Sequence, residues 1–368
     1  MSRPLLGILT LYKNKRRDIE ERHVYEQMIV AGHEMDMDVC VFTPQDVDHV
    51  RKKANVMVYT PGTGKWTRKW SVLPQLIFDR CRNQRSAQFS SMKHFRAKFG
   101  YLTFLNQPLR NKWKIYNVLS DTPEFNKLLP HTVIYREPQN INDMLSKTGM
   151  VYVKPINGTG GRGILRLERK RKHPSYVYVE GRNRSRRVIS PQYVKLNRLR
   201  AYMEAWVQQD RYIVQQGIPV KLSNGKVHDY RMLIQKDEHG KWGITGSVGR
   251  VGAYKSVTSN LHGGGHAVPM RALLQSWIGN QQRIDSIQHN MEKAGIRIAA
   301  YLEKKYGSLC ELALDWAIDK QGRCWLLEVN PKPSREVFKG IGDKAAYHKA
   351  IIQPIRYAKW LYANKLKR

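Results

Sequence analysis

Residues 311–330, ELALDWAIDKQGRCWLLEVN, predict two β-strands joined at Gln321 and Gly322. If these two residues form the loop, counting outward places Asp315 directly opposite Glu328, and Asn330 follows on the same face. Two opposed carboxylates repel each other, so the pattern predicts a cation between them. Three hard oxygen donors without His or Cys are typical of Mg²⁺ or Mn²⁺, and such Mg²⁺ usually also holds substrate phosphates. The hairpin therefore predicts a metal site formed by Asp315, Glu328 and Asn330. Such a site raises the question of whether the chain binds a nucleotide.

A glycine-rich segment upstream is the candidate phosphate-binding loop. Residues 151–169, VYVKPINGTGGRGILRLER, predict a strand that ends at Lys154, a mobile loop and a second strand. The glycines of this loop are Gly158, Gly160, Gly161 and Gly163. No helix pattern follows, which argues against a Walker A loop or a dinucleotide fingerprint, because both lead into a helix N-terminus. The loop can offer backbone N–H groups to phosphates, with Lys154 supplying an ammonium group. An ordinary flexible hairpin is the alternative.

These two pieces in this order, together with three further segments, resemble the ATP-grasp superfamily. The segments are NKWKIYNVL at 111–119 with LPHT at 129–132, YIVQQGI at 212–218 and HDYR at 228–231. The resemblance implies a two-lobed domain that binds ATP between its lobes with one or two Mg²⁺ (or Mn²⁺) ions. Besides Lys154 and the glycines, it implies nucleotide contacts by Lys112, Gln215, Gln216 and Ile218. Glutamines stand at 215 and 216 where many ATP-grasp enzymes have an acidic residue.

The same resemblance suggests which residues face the reacting groups. Arg231 lies in the D-x-R element, whose arginine contacts phosphate or an acyl phosphate. Asn260 begins NLHGGG, which is similar to the substrate loop of glutathione-synthetase-like members. Arg250 is a candidate for holding the substrate carboxylate, the alternative being a surface arginine near a turn. His228, beside the D-x-R element, is interpreted either as a proton carrier or as a side chain packed against a strand. The implied reaction activates a carboxylate as an acyl phosphate, which an amine or a related nucleophile then displaces.

The N-terminal third resembles a narrower group, the YheC/YheD family of endospore coat-associated ATP-grasp proteins. Its matching segments are GILT at 7–10, VFTP at 41–44 and LPQLIFDR at 73–80. The resemblance implies an ATP- and Mg-dependent carboxylate–amine ligase of the spore coat or of sporulation. Such a protein is made in the cytoplasm and acts in the coat or the forespore. Its acid and amine substrates stay open. Two alternatives also stay open, a non-catalytic basic spore protein that keeps the ATP-binding fold and a polyanion- or nucleic-acid-binding protein.

The charge of the chain is strongly basic. Lysines and arginines number 64 against 30 acidic residues, a net charge of +34, which attracts nucleic acids, acidic polymers or anionic membrane surfaces. The densest basic cluster consists of Arg162, Arg166, Arg169, Lys170, Arg171, Lys172, Arg182, Arg184, Arg186 and Arg187. Because no recognised DNA- or RNA-binding motif accompanies it, a generic polyanion surface is favoured over sequence-specific recognition. The four cysteines include no C-x-x-C pair, which argues against zinc or a disulfide framework. No apolar run is long enough for a transmembrane helix.

The order of predicted elements indicates an α/β protein. A small parallel α/β lobe is expected over residues 1–110, with a helix over 20–32 that ends at Gly32. An ATP-grasp domain is expected over 111–335, with lobes of about 111–216 and 217–335, followed by a basic helical segment over 336–368. The oligomeric state stays open.

Overall fold

The computed structural model of the chain describes residues 3–82, 87–109, 111–158, 160–208 and 211–366. These residues form three sheets of seven, six and five strands, each with helices packed on it. The mixture of sheets and helices confirms the predicted α/β class. Within the described residues, no helix combines the length and the apolar composition that crossing a membrane requires.

The first sheet belongs to the N-terminal lobe. Its elements are β1 (Leu5–Leu9), α1 (Arg22–Glu34), β2 (Asp38–Phe42), β3 (Val47–Asp48), β4 (Lys53–Thr60), β5 (Lys65–Val72), β6 (Leu76–Asp79), α2 (Phe89–Lys98) and β7 (Thr103–Phe104). Strand β1 pairs in parallel with β2 and β6, as the βαβ pattern predicts, while β4 and β5 add an antiparallel hairpin at the edge. The prediction that α1 ends at Gly32 was wrong. The helix continues to Glu34, and Gly32 lies inside it. Residue 32 is glycine because a Cβ there would clash with Val39 of β2.

The second sheet carries the glycine-rich loop. Its elements are α3 (Lys112–Ser120), α4 (Pro123–Asn126), β8 (Thr132–Ile134), α5 (Pro138–Thr148), β9 (Met150–Pro155), β10 (Ile164–Arg169), β11 (Tyr176–Arg182), β12 (Val188–Lys195), α6 (Leu199–Val207) and β13 (Tyr212–Gln216). The strand order is β12-β11-β10-β9-β13-β8. Strand β9, which ends just after Lys154, is antiparallel to both β10 and β13, and its last residue, Pro155, pairs with Tyr212 at the start of β13. The loop between β9 and β10 therefore lies at the opposite end of β13 from the hinge, residues 216–219, which leads toward the third sheet.

The third sheet carries the hairpin of 311–330. Its elements are β14 (His228–Lys236), β15 (Trp242–Val251), β16 (His266–Pro269), α7 (Met270–Ile278), α8 (Gln281–Tyr306), β17 (Glu311–Ile318), β18 (Cys324–Asn330), α9 (Glu336–Gly340) and α10 (Lys344–Leu361). The order β16-β15-β14-β17-β18 places β14 beside β17. One face of this sheet packs on α8 through residues such as Met232, Leu314 and Met291. The other face packs on α9 and α10 at one end, through Leu233 and Val248, and polar residues occupy the rest of it.

Two helices pack away from their neighbours in sequence. Helix α3 buries Ile115 and Leu119 in the same apolar core as Leu314 and Trp316, so it lies against the third sheet. Helix α10 buries Ile351 and other apolar residues in the core of the N-terminal lobe. Helix α10 lies in the segment 336–368 that the sequence predicts as a basic helix, and its packed side is apolar. A π-helical turn over Tyr362–Leu366 continues it.

Candidate active site

The hairpin of 311–330 has the register that the sequence predicts, although its loop is different. Asp319 and Arg323 are joined by a backbone hydrogen bond, so the loop has three residues, 320–322, and not two. A β-bulge between Asp315 and Trp316 then shifts the register by one residue and restores the pairing of Asp315 with Glu328. The predicted loop was wrong and the predicted carboxylate pair was right, because the two deviations compensate each other.

A row of charged residues crosses the polar face of the third sheet. Arg250 of β15 pairs with Asp229 of β14, and Arg231, two residues along β14, pairs with Asp315 of β17. Asp315 in turn faces Glu328 of β18. Directly paired residues and residues two apart share one face, so these side chains project into the same space.

The two arginines of the row neutralise Asp315. Arg231 donates from Nε to Oδ1 at 2.7 Å and from Nη2 to Oδ2 at 2.8 Å. Arg250 Nη2 lies 3.1 Å from the same Oδ2 and also binds Asp229 at 2.5 Å. Burial acts to raise the pKa of Asp315, but the charges of Arg231 and Arg250 outweigh it and lower that pKa to about 2. The charge of Asp315 is therefore compensated by protein side chains, whereas the sequence predicted a bound cation between Asp315 and Glu328.

Glu328 is neutralised from another direction. Lys112, the first residue of α3, lies 3.2 Å from Glu328 Oε1, because α3 packs beside β18. The same ammonium group donates to the carbonyl of Gly158. The structure thus brings together three residues that the sequence proposed independently, one from a helix, one from a sheet and one from the glycine-rich loop.

Lys154, in β9, pairs with Ile213 of β13, the strand that leads into the hinge. Its ammonium group donates to Gln215 Oε1 at 2.7 Å, and Gln215 donates to Thr132 Oγ1 at 3.2 Å. Burial lowers the pKa of Lys154 to about 8, with Lys112 acting in the same direction and Glu328 opposing it. An ammonium group held in this way is readily stabilised by an arriving phosphate.

The hinge also has an apolar side. Ile218 is buried against Ala317 and Trp325 of the hairpin. Gln216 accepts a hydrogen bond from the backbone N–H of His131 at 3.2 Å. A cavity of about 360 Å³ lies between the hinge and the hairpin loop, lined by Gln216, Ile218, Pro219, Asp319, Lys320, Gln321 and Trp325. Its volume is in the range of small-ligand pockets.

The glycine-rich loop reaches the opposite lobe. Gly160, Gly161 and Gly163 have φ of 69°, 72° and 65°, a left-handed conformation that favours glycine. A Cβ at Gly161 would clash with the side-chain amide of Asn260. The absence of a side chain on the loop therefore lets it approach the predicted substrate loop.

The side chains of His228 and Arg250 are both buried. His228 contacts the carbonyl of Val220 through Nδ1 at 2.8 Å, and burial lowers its pKa to about 4. This geometry supports the packed interpretation over a proton carrier. Arg250 is 2% exposed, with its guanidinium group on Asp229 and Asp315, so it is not a surface arginine.

The sequence model of the YheC/D-like ATP-grasp family matches residues 101–361. The chain belongs to this family.

Curated relatives extend the match over nearly the whole chain. The chain is 26% identical to the endospore coat-associated protein YheC of Bacillus subtilis (strain 168) over 337 residues, which cover 90% of this chain and 89% of that protein. It is 24% identical to YheD of the same organism over 342 residues, which cover 91% of this chain and 74% of that protein. The N-terminal segments that resemble this family therefore lie within a shared length.

Solved structures share the fold at low identity. The ATP-grasp ligase PsnB, complexed with a minimal precursor, Mg and ADP, superposes with a TM-score of 0.52 at 10% identity, covering 95% of this chain and 98% of that one. The D-cycloserine synthetase DcsG gives a TM-score of 0.52 at 11% identity, covering 96% of this chain and 99% of that one. The chain has the fold of ATP-grasp ligases.

The donors of this YheC/D-like site fit a hard cation. Each oxygen of a carboxylate has two lone pairs, so Asp315 Oδ1 can accept another partner besides Arg231. The side chain of Glu328 is 29% exposed. Asn330 Nδ2 donates a hydrogen bond to Asp315 Oδ2 at 3.1 Å. The described residues hold no group of three His, Cys, Asp or Glu that would form a metal site alone, so the set depends on the amide of Asn330 and on ligands from the substrate.

Sequence reasoning missed several residues that support the site. Asp229, which fixes Arg250, lies within the HDYR motif, and its alternation with Arg231 was the available signal. Arg80, fully buried, binds Glu21 at 2.6 Å and also Glu311, while Arg335 binds Glu311 at 2.7 Å. This network joins the N-terminal lobe to the strand that carries Asp315. An arginine at the end of the apolar run LIFDR was its only trace in the sequence.

Proposed function

We propose that this protein is an ATP- and Mg²⁺-dependent ligase that joins a carboxylate to an amine through an acyl phosphate. The observation that carries the proposal is the charged row of the third sheet together with Lys112 of α3, in which three cations pair with three carboxylates beside the glycine-rich loop. The cations are Arg250, Arg231 and Lys112, and the carboxylates are Asp229, Asp315 and Glu328. An arrangement with balanced charges and closely spaced donors is suited to a phosphoryl group and its counter-ion.

In this proposal ATP lies between the second and third sheets. The base occupies the space beside Gln216 and Ile218, where the cavity of about 360 Å³ opens. Lys154 and Lys112 bind the α- and β-phosphates, and the backbone of Gly158, Gly160, Gly161 and Gly163 covers them. Gln215 orients Lys154 through its 2.7 Å hydrogen bond.

The reaction then needs one oriented arginine. Arg231 contacts Asp315 through Nε and Nη2, which leaves Nη1 for an oxygen of the transferring phosphoryl group. A carboxylate oxygen of the substrate attacks the γ-phosphorus, and ADP leaves. An amine then attacks the acyl carbon, loses a proton and displaces phosphate. Asn260 lies near the substrate, and Arg250 acts by holding Asp229 and Asp315, or by binding the carboxylate itself.

Mg²⁺ fits beside Glu328, Asn330 and Asp315 Oδ1. Bound there, it would neutralise phosphate charge. The protein side chains do the positioning. Asp315 is kept charged by its arginines, and Glu328 exchanges its contact with Lys112 for the incoming nucleotide complex.

The association of relatives with the endospore coat supports a place for the ligase in the coat or in sporulation. A protein with a net charge of +34 would be retained by an acidic coat or wall polymer. A specific observation favours this second activity. The segment 169–172 carries four consecutive cations at the far end of β10, and Lys170 pairs with Glu168 at 2.7 Å.

The test of the ligase is release of ADP and phosphate with pools of carboxylic acids and amines. Release should require Mg²⁺ and an acid, and hydroxylamine should replace the amine, giving a hydroxamate by trapping the acyl phosphate. Glu328→Gln should abolish release with the fold retained. Wild-type turnover by Glu328→Gln on an identified substrate would refute the proposed site. A folded protein that binds Mg-ATP but stays silent with every pool would favour the non-catalytic spore protein.

A further inference from the structure

Three arginines lie together where the glycine-rich loop meets the loop of Asn260. Arg182, at the end of β11, donates from Nη2 to the carbonyl of Gly263 at 2.6 Å. A Cβ at Gly160 would lie 2.8 Å from Nη2 of Arg186. Burial lowers the pKa of Arg186, and the charges of Arg162 and Arg182 lower it further, so the three guanidinium groups are close neighbours. Arg162, Arg182 and Arg186 are termed here the arginine cluster.

The arginine cluster has no carboxylate to balance it among the described residues. Burial lowers the pKa of Arg182, and burial together with the charges of Arg162 and Arg182 lowers the pKa of Arg186. No Asp or Glu of the described chain is among the causes of either shift. In each of the three side chains Nε is buried without a hydrogen-bond partner in that part of the chain, and Arg182 is only 5% exposed. The two arginines of the charged row, Arg231 and Arg250, are by contrast paired with carboxylates. Like charges that are partly withdrawn from water and close together are costly when no carboxylate offsets them, so the protein maintains this cluster against an energetic penalty.

The backbone is also held in an unfavourable conformation at this place. Arg186 has φ of 66°, in the left-handed region that a long side chain rarely adopts. Asn183 fixes the turn, because its side-chain oxygen accepts from the N–H groups of Ser185 and Arg187 at 2.9 Å each. Strain maintained by a dedicated turn is typical of binding sites. The turn directs Arg186 toward Gly160 instead of toward solvent.

The arginine cluster adjoins the reaction centre. Burial lowers the pKa of His262, next to Asn260 in the substrate loop, and the charges of Arg186, Arg82, Arg231 and Arg162 act in the same direction. Arg231 is the residue proposed to contact the transferring phosphoryl group. The loop of Asn260 therefore contacts the cluster through Arg182 and Gly263 and lies within electrostatic range of Arg231.

We propose that the arginine cluster binds the acid substrate, and that this acid carries at least one anionic group besides the carboxylate that is activated. The inference rests on the proposed ligase function. Guanidinium groups pair with carboxylates and phosphates in a planar, bidentate geometry, so three of them suit a polycarboxylic or phosphorylated acid. The nucleotide is a less suitable occupant. Lys112 meets the glycine-rich loop at Gly158, whereas the cluster meets it at Gly160 and contacts the substrate loop at Gly263.

The experiment measures anion binding to the full chain by calorimetry, with Mg²⁺ and a non-hydrolysable ATP analogue present. The probes are propane-1,2,3-tricarboxylate and propionate at equal ionic strength. The tricarboxylate should bind at least about tenfold more tightly, because each charge-assisted pair adds roughly a factor of ten or more. Arg162→Gln and Arg186→Asn should each weaken tricarboxylate binding by about tenfold. Asparagine at 186 tolerates the left-handed turn, so the second variant keeps the backbone.

Arg187→Gln is the matched control, since Arg187 is exposed on the same turn and the variant loses the same charge. It should change tricarboxylate affinity less than about twofold. Equal binding of the two probes, no binding of the tricarboxylate, or an equal loss in Arg187→Gln would overturn the inference. So would a parallel loss of affinity for the ATP analogue, since the cluster would then serve the nucleotide. If the wild type fails to bind the analogue at all, the ligase proposal fails, and this outcome is separate from the anion result.

Discussion

Replacing Asp315 by Asn tests whether the charged row is held by its arginines. The pKa of this carboxyl falls from an ordinary 3.8 to about 2, and each pKa unit corresponds to about 1.4 kcal/mol. Asp315 is 5% exposed, so solvent screens little of this interaction. Asp315→Asn should therefore lower the free energy of unfolding at neutral pH by about 2 kcal/mol or more, because Arg231 and Arg250 also lose their shared partner.

Glu328→Gln is the matched control on the facing strand. Its ion pair with Lys112 is partly exposed, at 29% and 19% of the side chains. A pair of this kind contributes roughly 0–1 kcal/mol. Both variants should lose ligase activity, but only Asp315→Asn should lose substantial stability. Urea unfolding followed by tryptophan fluorescence measures the difference, with buried Trp316 beside the substituted residue.

The pH dependence gives the sharper result. A depressed carboxyl pKa stabilises the fold above the unfolded-state pKa, and that stabilisation is lost as pH falls toward the folded-state pKa. The stability difference between wild type and Asp315→Asn should be full at about pH 7 and about half as large near pH 3. A difference that does not vary with pH, or an equal loss in Glu328→Gln, would show that the arginines do not hold Asp315 as described.

Three further predictions concern ligands. Mg-ATP should raise the melting temperature by mass action and EDTA should remove most of the shift; no shift at millimolar ATP would contradict the nucleotide site. Burial holds the pKa of Lys154 near 8, so ATP binding above that pH should take up a proton and weaken as pH rises. Calorimetry in buffers of different ionisation enthalpy measures this uptake, and Lys154→Met should abolish it. Polyanion binding should fall steeply with salt concentration. Replacing the four cations of residues 169–172 by serine should flatten this salt dependence and leave ATP turnover nearly unchanged. Loss of ATP turnover would instead place the segment 169–172 in the active site. The replaced residues are Arg169, Lys170, Arg171 and Lys172.

Much of the candidate site follows from local pattern. Alternation with a period of two fixes which side chains share a face, so the sequence alone placed Asp315, Glu328 and Asn330 together. The glycine positions likewise identified a loop between two strands, and the positive φ of Gly160, Gly161 and Gly163 explains why glycine stands at these positions. The motifs along the chain resemble those of the YheC/D-like ATP-grasp family, and the sequence model of that family confirms the resemblance. These features depend on a few neighbouring residues, which is why they can be predicted without coordinates.

The tertiary structure decided which partners meet. Arg250 reaches Asp315 because β15, β14 and β17 are adjacent in that order, and strand order is set by burial over the whole sheet. Lys112 reaches Glu328 because α3 buries its apolar face on the third sheet, although its sequence position assigned it to the preceding lobe. Arg162 and Arg186 likewise come together because the loop between β9 and β10 lies against the turn between β11 and β12. Local periodicity specifies the face on which a charge lies, while the charge that opposes it is set by long-range packing of apolar surfaces.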